Sequence, residues 1–201
     1  KKEVIFSLER VSLVRSLFDL AKVQLLCNDK LGRLNTETFF NESKKWASVY
    51  NEEFFKLIES NEDFYKQIVS IEREKENPRK DYEKYSDVLP LIKFFYNEHY
   101  DELVKELVVP ENYTQENINE VLSKYVEIFD LNLSEEDWFN QMKGIAEECG
   151  YATNRKDYKK NPEAYKGQVS DVAAILRLVV TLRLQSPNLY FVMQILGKEE
   201  V

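Results

Sequence analysis

The side chains whose types and spacing could do chemistry gather late in the chain. In residues 151–168, Lys156, Lys159, Lys160 and Lys166 alternate with Tyr151, Tyr158 and Tyr165. Ammonium groups hold phosphates and tyrosine rings stack on unpaired bases, so the pattern suits RNA; the same rings also serve helical proteins as core edges. Arg177 stands at the edge of an apolar helical stripe, where a guanidinium can lie over the core rim and turn to a partner. Gln185-Ser186-Pro187-Asn188 is a turn by composition. Other chemistries find little. There is no glycine-rich phosphate loop, and His99 is the single histidine, so no two-histidine metal motif exists. His99 lies in a charged run and is expected at the surface. Carboxylates such as Glu52-Glu53 and Glu135-Glu136-Asp137 are expected on solvated helix faces. No catalytic residue and no metal site is expected.

The overall charge is −8, which opposes nucleic-acid binding, but it is uneven. Residues 36–142 hold twelve Lys and Arg against twenty-five Asp and Glu, whereas residues 1–35 and 143–184 each carry a surplus of three positive charges. Phosphates feel local patches within about 8 Å at physiological salt, not the total. On charge alone, a chance fluctuation is the plainer account. The apolar run Ile175–Leu184 is interrupted by Arg177 and Arg183, short of the roughly 20 residues a membrane span needs. Lys1-Lys2-Glu3-Val4 opens no apolar stretch of signal-peptide length, so no signal peptide is expected there. Cys27 and Cys149 are read as small buried hydrophobes in a reducing compartment, with a disulfide between them left open.

Positioning these residues falls to helices. With five glycines and five prolines among 201 residues, the chain reads as all-α. Apolar residues at three- and four-residue spacing predict a helix over 8–26, with Ala21 and Leu25 on its packing face. A second helix is expected from Asn35 or Thr36 through Ile58, with Phe39, Trp46, Val49, Phe54 and Leu57 on one side. A third opens at Ser60-Asn61-Glu62-Asp63 and ends at Asn77-Pro78. Residues 87–107 form the next, closed by Val108-Val109-Pro110. Helices follow from Thr114, from Ser134 to Gly150, after Asn161-Pro162, from Gly167 to Leu184, and from Leu189 to Leu196. A soft boundary falls at 108–113.

From Asp137-Trp138-Phe139 onward the run becomes distinctive. It includes Tyr158-Lys159-Lys160-Asn161-Pro162-Glu163-Ala164-Tyr165-Lys166-Gly167, then Val169-Ser170-Asp171-Val172 and Leu176-Arg177-Leu178. Ser186-Pro187-Asn188-Leu189-Tyr190 and Leu196-Gly197-Lys198-Glu199 close it. This run resembles the anticodon-binding end of bacterial glutamyl-tRNA synthetases. Phe6-Ser7-Leu8-Glu9-Arg10-Val11-Ser12 and Phe18-Asp19-Leu20-Ala21-Lys22-Val23 resemble the stretch after that family's catalytic domain; the middle, 36–136, is looser. The chain departs at Cys27, where the family has asparagine, near Leu25, where it has tryptophan, and at Thr181-Leu182, where it has Thr-Gly. If the glycine position needs a positive φ, leucine is costly there. The expectation is that the helix runs on and the turn shifts.

The resemblance implies an all-α fold: the end of a stem-contact segment (1–35) and two helical anticodon-binding subdomains (36–109 and 110–201). It implies that Arg177 reads anticodon bases, that Ser186, Pro187 and Leu189 pack against the third base, and that Arg79 reads the first. Lys156, Lys159, Lys160, Lys166 and Arg183 would hold the tRNA backbone. Asn41-Glu42-Ser43-Lys44-Lys45 imitates the family's nucleotide loop but falls in the wrong region and is read as exposed helix. The stretch would therefore be a cytoplasmic, monomeric, tRNA(Glu)-recognising part of glutamate–tRNA ligase, without affinity for membrane or DNA. It would carry no cofactor of its own, with ATP, magnesium and glutamate bound by a catalytic domain outside it. The rival class is an acidic helical protein-interaction scaffold, which predicts a protein partner instead.

Overall fold

A computed structural model describes residues 19–198 and residue 201; the expected helix positions before residue 19 lie outside them. The described residues form helices, with one isolated parallel bridge between Ala152 and Gln168. They are α1 (Leu20–Gly32), α2 (Thr36–Tyr50), α3 (Glu52–Ser60), α4 (Glu62–Ser70), α5 (Val88–Ile92), α6 (Tyr100–Glu106), α7 (Gln115–Ile128), α8 (Glu135–Glu148), α9 (Arg155–Lys160), α10 (Val169–Thr181) and α11 (Leu189–Leu196). Short 3-10 turns at Tyr85–Asp87, Lys93–Phe95, Asn97–His99 and Pro162–Ala164 link them.

The starts follow the chemistry of the cap residues. Asn35, Asn51, Asn61, Thr114, Ser134, Asn154 and Asn188 each accept a backbone N–H of the first turn, satisfying donors that have no partner inside the helix. Asn51 also corrects one expectation. Its extended backbone ends α2 while its side chain caps Phe54 N at 3.0 Å, so the long helix over 36–58 is two. The break resets the helical phase and leaves Val49 exposed.

Four other boundaries differ, the first being the helix expected after Asn161-Pro162, where only the 3-10 turn Pro162–Ala164 forms. The helix expected to reach Asn77 stops at Ser70, because Arg73 N turns back to Ser70 O and Glu72 adopts φ +53°. The helix expected over 87–107 is split into α5, two 3-10 turns and α6. Glycine-like geometry also appears where the long final helix was expected to continue. α10 ends at Thr181, and Leu182 takes the left-handed conformation, φ +53°, ψ +28°. That conformation costs an L-residue about 1–2 kcal/mol. Leu182 packs against the first core, and that burial offsets the cost, so leucine occupies a glycine-type cap without moving the turn.

Two apolar cores result. The first is aromatic: Phe39, Phe40, Phe54, Tyr65, Phe94 and Phe95 join Ile58, Ile68, Val88 and Ile92, with α2 lying on α3 and α4. The second gathers Val121, Tyr125, Trp138, Met142, Ile145, Val172, Ile175 and Leu176 where α10 crosses α7 and α8. Helix α11 serves both, giving Val192 to the first core and Leu189 and Met193 to the second. The first turns of α1 bury nothing: Leu25 is 67% exposed and Cys27 is exposed, against expectation, while Cys149 is buried and both thiols are free. Packing falls instead to Leu31 and Gly32. Arg73 fastens this end, donating from Nη1 to Leu31 O at 2.8 Å with its guanidinium over the Phe39 ring.

Candidate nucleic-acid interface

Arg177 comes from the middle of α10 and Ser186 from the turn that follows. Arg177 Nε donates to Ser186 Oγ at 3.1 Å. The turn is fixed from several sides. Thr181 Oγ1 donates to Arg177 O at 2.7 Å and to Arg183 O at 3.3 Å. Pro187 is buried. Asn188 caps α11 through Tyr190 N and donates its amide to Glu135 Oε1 at 2.6 Å. Leu189 is 2% exposed and belongs to the second core, so only its edge reaches the surface.

Arg79 reaches the same place from the other core. It follows Pro78 in an irregular segment pinned by α1. Asn28 Nδ2 donates to Lys80 O at 2.6 Å, and Asp29 pairs with Lys80 at 2.5 Å. Gly32 lies so close that an added Cβ would stand 2.9 Å from Arg79 O. The Arg79 guanidinium is held by Asp81 in a fork: Nε to Oδ2 at 2.8 Å and Nη2 to Oδ1 at 2.7 Å. Glu72 Oε2 stands 3.9 Å from Nη1. Glu72 stands at φ +53°, and its carboxylate also meets Lys75 at 2.9 Å and Asn188 Nδ2 at 3.4 Å.

These residues line two adjoining recesses. Arg79, Asp81, Tyr82, Ser186 and Pro187 border one of about 100 Å³. Arg177, Trp138, Phe139, Ala173, Asn188 and Leu189, with Ser134, Glu135 and Glu136, border a wider one of about 710 Å³. The electrostatics differ across the seam. The Asp81 hydrogen bond raises the proton affinity of Arg79. That of Arg177 is lowered, first by burial and then by the positive charge of Arg79. Glu72 is pushed up by burial, but Lys75, Asn188 and Arg79 outweigh this and hold it below the usual carboxylate value. The seam thus offers cationic donors above an apolar, partly aromatic floor, an arrangement that can grip a flat ligand carrying acceptor atoms.

Five residues expected at the site (Arg79, Arg177, Ser186, Pro187 and Leu189) therefore meet at one seam. The basic residues expected at the backbone do not behave as a set. Lys156, Lys159 and Lys160 are exposed on α9 and form no ion pair among the described residues. Lys166 is paired to Glu120 at 2.6 Å. Arg183 turns its Nη1 to the carbonyl of Pro90. Sequence reasoning missed Asp81, Glu72, Asn188 and the Trp138–Phe139 floor. Asp81 two residues from Arg79 was the available signal. Two discounted residues need correcting. His99 is buried, 6% exposed, with Nδ1 3.5 Å from Glu102. Ser43 is fully buried, its hydroxyl 2.8 Å from Tyr65 Oη, so the 41–45 run is on a helix as expected but its serine faces the core. Among the described residues no group of His, Cys, Asp and Glu gathers to hold a metal ion, and no helix is long and apolar enough to cross a membrane.

By fold and seam, the chain is an all-helical module in which two apolar cores present one arginine each to a shared cleft. No protein-family model matches it, and no solved structure does. Curated relatives do, and they are glutamate–tRNA ligases. That of Clostridium perfringens (strain 13 / Type A) is 36% identical over 195 residues, 96% of this chain and 36% of that protein. That of Acetivibrio thermocellus is 36% identical over 196 residues, 98% of this chain and 35% of that protein. That of Sorangium cellulosum is 33% identical over 186 residues, 92% and 32% respectively. The chain is thus a homologue of a segment of the glutamate–tRNA ligases, and it spans about a third of the length of these relatives.

Proposed function

We propose that the chain recognises the anticodon of glutamate tRNA for a glutamate–tRNA ligase, with the seam between the two cores as the reading surface. The observation that carries this is the meeting of Arg79 and Arg177, residues 98 positions apart, over an apolar floor beside the Ser186–Pro187 turn. An unstacked base entering the seam would stack on apolar surface while a guanidinium donates paired hydrogen bonds to its acceptor edge. Lys156, Lys159 and Lys160, unpaired and exposed, are suited to hold phosphates nearby. Lys166 and Arg183 would first have to leave Glu120 and Pro90. The subdomain limits 36–109 and 110–201 fit this reading, since each core supplies one arginine. ATP with magnesium, and glutamate, belong in this reading to the remainder of the enzyme, which attaches the amino acid in the cytoplasm as a monomer.

The test is binding of this chain to glutamate tRNA against the same tRNA with each anticodon base altered. Arg177→Ala is expected to weaken cognate binding by about 1–3 kcal/mol, the scale of one lost charge-assisted contact, and to leave the altered tRNAs nearly unchanged. Equal binding of cognate and altered tRNAs by the unmutated chain would defeat anticodon reading. Capture of a protein partner with no anticodon dependence would favour the acidic scaffold.

A further inference from the structure

Each arginine at the seam gives its Nε to a fixed partner, one neutral and one charged. Arg177 gives its Nε to Ser186 Oγ at 3.1 Å, and Arg79 gives its Nε and Nη2 to the Asp81 carboxylate at 2.8 and 2.7 Å. A guanidinium has five N–H donors in a planar fork. The Asp81 clasp uses the side edge and leaves the end edge, shared by Nη1 and the second hydrogen of Nη2. Glu72 approaches that end edge only to 3.9 Å, outside hydrogen-bond distance. Arg79 would otherwise be a long side chain on an irregular segment, carrying a charge that repels its neighbour at Arg177.

We infer that Asp81 is a specificity-determining positioning residue, which fixes the plane of Arg79 so that its end edge reads a base presenting two adjacent acceptors. This rests on the anticodon reading proposed above. The ligand class is a nucleobase with paired acceptors, such as O2 and N3 of cytosine, or O6 and N7 of guanine. Asp81 touches no base in this scheme; it acts through Arg79. Its negative charge also offsets the repulsion between the two guanidiniums of the seam. Asp81 itself stands on ground held from α1, since Lys80, between Arg79 and Asp81, is bonded through its carbonyl to Asn28 and through its ammonium to Asp29.

The role separates from plain structure because a negative charge beside the seam opposes RNA in general. Removing it should leave overall tRNA affinity equal or better while erasing discrimination. The experiment measures the affinity ratio between cognate tRNA and tRNAs with one altered anticodon base, for this chain and for Arg79→Ala, Asp81→Asn and Asp81→Glu. Arg79→Ala is expected to shrink the ratio at one base by about tenfold or more, the worth of a bidentate contact. Asp81→Asn is expected to shrink it at that same base, with binding of the altered tRNA unchanged or tighter. Asp81→Glu, which keeps the charge and shifts the carboxylate by one methylene, covers the case in which the amide variant does not fold; it too should shrink the ratio. If Arg79→Ala shrinks the ratio and the folded Asp81 variants keep it, the inference about Asp81 is wrong and the anticodon reading stands. If Arg79→Ala leaves every ratio unchanged, Arg79 reads no base and the inference falls with it, while Arg177→Ala decides separately whether the seam reads the anticodon at all.

Discussion

Arg79 and Arg177 reach the same seam by opposite means. Arg177 sits on a regular helix whose inner face is buried: Val172, Ile175 and Leu176 are 0% exposed. Its direction is set by the second core, and one neutral hydroxyl completes the orientation. Arg79 sits on an irregular segment outside any helix, pinned from the side by α1. Its direction is set by ion pairs and hydrogen bonds from Asp81, Glu72 and the end of α1. The lesson is that a side chain on a packed helix is oriented by apolar burial, while one on a loop must be oriented by polar contacts that also alter its charge environment. The first kind should fail through loss of stability, the second through loss of geometry.

The largest effect that could break this contrast comes from the helix side. Leu176→Ala removes a fully buried side chain next to Arg177 in sequence. A loss of about 2–5 kcal/mol in unfolding free energy is expected, the usual cost of such a cavity, measurable by denaturant titration. In molecules that remain folded, discrimination at the anticodon should be kept. A variant that is as stable as the parent but no longer discriminates would mean that Arg177 is not oriented by the core.

Gly32→Ala probes the loop side. The added methyl would meet the Arg79 carbonyl and Lys80 Cγ, each 2.9 Å away, and backbone cannot yield cheaply. Overpacking of this kind costs about 1–3 kcal/mol, against up to about 1 kcal/mol gained in helix propensity. A net stability loss near 1 kcal/mol is expected, with a disproportionate fall in discrimination at the base assigned to Arg79. If stability falls and discrimination holds, the α1 contact supports the fold but not the arginine.

The same contrast explains what the sequence revealed. Helix existence was legible from periodicity and from caps such as Thr114 and Ser134, whose role is local. The break at Asn51 was not, because asparagine inside an apolar periodic run has two readings and only the packing of Phe54 against Tyr65 selects one. Arg177, on its stripe, was found with its partner Ser186. Asp81 was not: it stands two residues from Arg79, but Glu72, Glu74 and Glu76 stand nearby as well, and spacing in a loop does not choose among them. The left-handed Leu182 was not legible either: its cost is local, but the contact that offsets its strain lies in the other core.

The subtlest difference between the two sides is their response to acid. Asp29 joins α1 to the Arg79 segment through Lys80 and to its own helix through Arg33 at 2.8 Å. The Arg33 hydrogen bond, followed by that from Lys80, holds its carboxyl down from 3.8 to about 2. A depressed folded pKa means that this contribution is complete above the ordinary value of 3.8 and fades as pH falls from there through about 2. The carboxyl is solvent-exposed, so the effect on global stability is small. It should be visible locally by nuclear magnetic resonance. The Asn28 side-chain amide and the Lys80 backbone, which report the α1 contact, should titrate with a midpoint near 2, and Asp29→Asn should abolish that titration. The Arg177–Ser186 contact contains no carboxylate and should show no such step of its own. A midpoint near 4 at Asn28 would mean that Asp29 is not engaged, and that the Arg79 segment is held by Asp81 and the Gly32 contact without it.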